Sequence, residues 1–124
     1  MSEERIIKLE ERLELLEFKV EMLAEKSRVG DILFESNLTR EQYKGIMDLM
    51  DESRKHIDNN EKVHHYDFET KIDKITGQNG DYHFCENLAQ AFMEDGRWEE
   101  VFPALYGDMP KFKYYMERRL KGEE

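Results

Sequence analysis

The sequence predicts an all-α fold: a multihelical bundle whose extended N-terminal heptad helix forms a parallel coiled-coil homo-oligomer. Three observations predict it. Apolar residues recur at three-and-four spacing along most of the chain, and no stretch alternates as a strand does. Only two prolines, Pro103 and Pro110, interrupt the pattern. The chain also opens on an unbroken a/d seam.

That seam consists of Ile6, Leu9, Leu13, Leu16, Val20 and Leu23, stepping by three and four in turn within a helix expected over Glu3 to Lys26. With Ile6, Leu13 and Val20 at a, Leu9, Leu16 and Leu23 fall at d, Arg5, Arg12 and Lys19 at g, and Glu10 and Glu17 at e. In a parallel pair each g residue faces the e residue five places on in the partner, so Arg5 meets Glu10 and Arg12 meets Glu17. An antiparallel pair sets g against g and e against e, which places like charges together, so repulsion and attraction both favour the parallel arrangement. β-branched Ile6 and Val20 at a with Leu at d favour a dimer, and Leu13 at a keeps a trimer open. A second apolar row, Ile7, Leu15, Phe18 and Met22, lies on another side of the same helix and is expected to face the chain's own body.

A short helical piece is expected around Ile32-Leu33-Phe34. Leu38-Thr39-Arg40-Glu41-Gln42-Tyr43 then reads as a helix start, with Thr39 and Gln42 as the two halves of a capping box and Leu38 as a staple onto Tyr43. The helix that follows buries Tyr43, Ile46, Met47, Met50 and Ile57 and ends at Asn59-Asn60. Further helices are expected over Asp67 to Thr76, Asp81 to Asp95, Arg97 to Tyr106 and Pro110 to Lys121, stopped by Gly77, Gly96 and Gly107. Neither an internal repeat nor a Gly/Ser linker divides the chain, so one domain is expected over 1–124, comprising an oligomerisation helix (1–26), a helical body (27–107) and a C-terminal helical tail (108–124).

The order of these signals resembles the YhaI-like family of small uncharacterised helical proteins from Gram-positive bacteria. The residues that carry the resemblance are the heptads from Arg5 to Leu16, the Leu38-Thr39-Arg40-Glu41 start, Phe68, the Thr76-Gly77-Gln78 corner and Asp95-Gly96-Arg97-Trp98-Glu99-Glu100-Val101-Phe102. The resemblance implies a multihelical oligomer and supplies no activity, substrate or catalytic residue. Asn79-Gly80 after the corner and the segment from Pro110 onward depart from it.

A formal net charge of -10 disfavours nucleic acid and anionic membrane surfaces, both of which repel an acidic chain at long range. No apolar run approaches the roughly 20 residues of a membrane span, and Met1-Ser2-Glu3-Glu4 has neither the positive region nor the apolar core of a signal peptide. The single Cys85 excludes an intramolecular disulfide, so a cytoplasmic location is expected.

Three constellations bear on chemistry. Glu14-x-x-Glu17 and Asp48-x-x-Asp51 supply the hard oxygens that a magnesium-dependent nucleotide hydrolase needs, without the basic cluster that would receive phosphates. His64-His65, His83-Phe84-Cys85 and His56 are ligand types zinc accepts, at spacings that fit no zinc motif. A calcium loop over Gly77 to Glu86 fails because its first ligand position is Ile75. The basic aromatic tail from Lys111 to Lys121 suits packing against the acidic body better than nucleic-acid contact. The expectation is therefore a non-enzymatic oligomeric interaction or scaffold protein, without cofactor or metal, that binds an unidentified protein partner. An acidic regulator occupying the basic surface of a nucleic-acid-binding protein is the first alternative, and the magnesium-dependent hydrolase the second.

Overall fold

The computed structural model describes residues 2–77 and 80–122. Within them seven α-helices form and no strand: α1 (Glu3–Glu25), α2 (Arg28–Glu35), α3 (Arg40–Asp58), α4 (His65–Thr76), α5 (Tyr82–Glu94), α6 (Val101–Tyr106) and α7 (Pro110–Leu120). No described helix is long and apolar enough to cross a membrane.

Several helix starts have a local cause. Ser2 Oγ accepts from Arg5 N at 3.3 Å and caps α1. The predicted capping box of α3 closes in both directions, Gln42 N donating to Thr39 Oγ1 at 3.1 Å and Thr39 N to Gln42 Oε1 at 2.8 Å. Asp81 caps α5 through Phe84 N. Between α1 and α2, Lys26 turns left-handed at φ 55° and Ser27 accepts from Gly30 N, so α2 folds back along α1. A Cβ on Gly30 would lie 2.7 Å from Met22 O, which shows how closely the two helices approach.

Helix α5 is central. Phe84, Cys85, Leu88, Ala89, Ala91, Phe92 and Met93 are all buried on it, and α2, α4 and α6 pack around it while α3 joins α4 and α6. Buried Phe18, Leu33, Ile46, Met50, Ile72, Phe102 and Tyr106 bring the other helices into the same core. The tail belongs to this body: Phe112 and Tyr115 of α7 meet the ring of Phe102 edge-on, at centroid distances of 5.0 and 6.3 Å.

Met47 and Ile57, expected to be buried, are only half-buried, and the larger differences from the sequence expectations lie at four places. No helix begins at Arg97; residues 97–100 form a turn in which Trp98 takes φ 48°, and α6 starts only at Val101. Phe92, edge-on to the Trp98 ring at 5.3 Å, and Asp51, accepting from the indole N–H at 2.8 Å, hold that turn. Gly107 is right-handed at φ -60°, and what it supplies is space, since a Cβ there would lie 2.5 Å from Pro103 O. Helix α4 begins at His65, two residues before Asp67. Ile7, expected against the body, stands 54% exposed because the body does not reach that far along α1. Gln78 and Asn79, in the corner after Gly77, lie outside the described residues.

Candidate self-association face

Helix α1 has two unlike sides. Phe18 and Met22 are buried and Leu15 is half-buried, so this side seats the helix on the body. On the opposite side every member of the predicted seam is open: Ile6, Leu9, Leu13, Leu16, Val20 and Leu23 are 42–64% exposed. Phe18 occupies heptad position f, directly across from a and d, so a 3.6-residue helix seated through Phe18 must turn the seam to solvent. Residues 2–14 are exposed throughout, so the first half of α1 stands clear of the body. The helix as a whole is about 35 Å long at 1.5 Å per residue.

The charges flanking the seam divide in the same way. Arg5, Glu10, Arg12 and Glu17 are exposed, and among the described residues none makes an ion pair within the chain. Lys19, the third g residue, has Ala24 as its e counterpart; its ammonium turns inward to Asn37 and lies 4.6 Å from the Phe34 ring centroid. The acids off the seam serve the body. Arg40, at the start of α3, binds Glu14 at 2.7 Å, binds Glu21, and lies 5.0 Å from the Phe18 ring centroid. The Arg40 hydrogen bond holds the Glu21 carboxyl below its ordinary range.

The other constellations do not assemble. Among the described residues no group of three or more His, Cys, Asp and Glu side chains converges as a metal site would require. Glu14 is engaged by Arg40 and Asp51 by Trp98. His56 lies between Glu61 and Glu52, His83 beside Glu86, and His65 against the Tyr106 ring.

Cys85 is wholly buried, and desolvation, followed by the nearby carboxylates Glu69 and Asp73, pushes its thiol up to about 12. Burial first, then the hydrogen bond to Glu69, raises the Tyr106 phenol. Both groups are neutral in the fold and ionise more readily in the unfolded chain, so the stability they confer is complete below their ordinary values of 9.0 and 10.0 and is lost as pH climbs through the raised ones. Unfolding free energies from urea titrations are therefore expected to hold level from pH 7 to 9 and fall steadily above 9, by up to about 1.4 kcal/mol per pH unit per group. A level profile to pH 11 would show that neither group is desolvated.

Several contacts have no signature in the sequence. The carboxylate of Asp95, at the end of α5, accepts from Arg28 N at 3.0 Å and Val29 N at 2.9 Å, capping α2 from a distant part of the chain. Glu86, almost fully buried, accepts from Lys111 at 2.6 Å, and Glu94 accepts from the Tyr115 hydroxyl at 2.7 Å, which seats α7 on α5. Arg97 donates to the Tyr43 hydroxyl at 2.7 Å and lies over the Phe92 and Trp98 rings. The sequence carries only the general match of a basic tail to an acidic body.

In comparisons with family models, curated proteins and solved structures, nothing matches this chain.

Proposed function

We propose that this chain is a non-enzymatic homo-oligomeric interaction protein, joined through α1 as a parallel coiled coil and presenting its helical bodies to a protein partner. The observation that carries the reading is the open seam: six large apolar side chains in strict a/d order on one face of a helix whose opposite face is already seated. The sorted charges support it, because Arg5 with Glu10 and Arg12 with Glu17 pair only between chains running the same way. Each such pair contributes a few tenths of a kcal/mol, so the seam supplies affinity and the charges supply orientation. The resemblance to the YhaI-like family points to the same multihelical oligomer.

Three heptads make a short coiled coil, so assembly should depend on concentration. Light scattering of the intact chain is expected to give a dimer or trimer that dissociates on dilution. The variant carrying Leu9→Lys and Leu16→Lys should be a folded monomer with unchanged helix content by circular dichroism. An intact chain that remains monomeric at high concentration would sink the proposal.

A further inference from the structure

We infer that α7 is a charge-gated strap, held over the body by Lys111 and released when the Lys111 ammonium no longer neutralises Glu86. Helix α7 has no buried residue, and eleven residues without a side-chain cap do not hold a helix in water on their own. What seats it is the half-buried trio Phe112, Tyr115 and Met116, together with polar ties to α5: Lys111 to Glu86, Tyr115 to Glu94 and Arg119 to the Met93 carbonyl. Beneath it lie the rings of Phe102 and Tyr106, both 0% exposed, with Phe112 at centroid distances of 5.0 and 6.2 Å from them. The strap covers these rings without placing a side chain of its own in the deep core.

Among the described residues Glu86 is the one charged side chain that is buried. Its pairing is asymmetric: the Glu86 side chain is 6% exposed and that of Lys111 47%. Of the other groups near the carboxylate, His83 Nδ1 lies 3.6 Å away on an open side chain, and His65, Glu69 and Asp73 of α4 line the same cavity of about 540 Å³ as Glu86 and Lys111. Two further carboxylates repel a third, so the burial of Glu86 depends on Lys111. Removing one partner of a buried ion pair leaves an uncompensated charge, which costs more than the pair contributes. For Glu86 the relief is close at hand. Lifting α7 admits water to the carboxylate and uncovers the Phe102 and Tyr106 rings, with α5 left in place. Because the lysine is the exposed end of the pair, a loss of charge at the surface acts on the buried carboxylate without entering the core.

The test is hydrogen exchange of the full chain and of three variants. Lys111→Met is expected to lower the protection of the α7 amides by at least about tenfold and to leave α5 protected. Adding Glu86→Met is expected to restore that protection, because an apolar pair of similar length needs no cation. Lys113→Met, which removes an exposed cation from the same helix, should change nothing. Unchanged α7 protection in Lys111→Met, or an equal loss in Lys113→Met, would overturn the gate. A double variant as open as the single one would do the same, since Lys111 would then act through contact and not through charge. Protection lost across α5 as well in Lys111→Met would also overturn it, making the pair a support of the core. None of these outcomes depends on whether α1 associates, so the strap and the seam stand or fall separately.

Discussion

Phe18→Ala is expected to lower stability by about 3–5 kcal/mol, the cost of truncating a buried phenylalanine to leave a cavity. Phe18 is 2% exposed, its ring lies 5.9 Å from that of Tyr43, and it is the most deeply buried side chain of α1. Beside it Arg40 binds Glu14 and Glu21, and the sequence offers no way to rank this ion network against the ring. Magnitudes do. The side chains of Arg40, Glu14 and Glu21 are about half exposed, and exposed ion pairs contribute roughly 0–1 kcal/mol each. Arg40→Ala should therefore cost far less than Phe18→Ala, part of the loss coming from the contact with the Phe18 ring. Leu13→Ala on the seam should leave the stability of the monomer nearly unchanged, because Leu13 is open to solvent there. Urea denaturation of the three variants in the Leu9→Lys, Leu16→Lys background checks the order. An Arg40→Ala cost equal to that of Phe18→Ala would mean that charge, not apolar burial, holds α1 on the body.

The legible parts of the fold are those whose cause is local. The Thr39 and Gln42 box, the left-handed Gly77 and the spacing of Phe18 and Met22 are visible because each signal and its consequence lie within one or two helical turns. The seam is legible for the same reason, its six residues being related by helical geometry alone. The turn at Trp98 was not legible. Arg97 to Tyr106 has good helical spacing, and what breaks it is the docking of the indole on Phe92 and Asp51, which come from α5 and α3. Ile7 departs from its expected place because periodicity gives the side of a helix that a residue occupies and says nothing of how far the body extends beneath it. Glycine after a helix usually acts as a conformational stop, whereas at Gly107 steric room beside Pro103 decides. The shared side of the six seam residues follows from helical spacing, while the contacts that orient α1, through Arg40 and Asp95, join segments far apart in sequence and leave no periodic trace.

Asp95→Ala should cost about 2–3 kcal/mol, far more than removing a surface carboxylate ordinarily does. Helix α2 has only eight residues and cannot hold itself in water, so its exposed first amides must be satisfied from outside. Ser27 takes one, from Gly30, and Asp95 takes two, from Arg28 and Val29. These are charge-assisted bonds to an anion at a helix N-terminus, where the dipole adds to their strength. Asp95 is held for the task by the end of its own helix, where Gly96 at φ 76° lets Gly96 N donate to Met93 O and Arg97 N to Phe92 O. Removing the carboxylate leaves two amides without protein acceptors and loosens α2, and with it the α1–α2 hairpin, from α5. Asp95→Asn should recover part of the loss, because its amide oxygen still accepts but carries no charge and its nitrogen cannot accept at all. Because α1 packs most extensively against α2, hydrogen exchange should show the Asp95→Ala variant opening α1 and α2 together while α5 and α6 remain protected. Protection lost uniformly across all helices would instead make Asp95 a support of the whole core, and α1 would then be no separately anchored stalk.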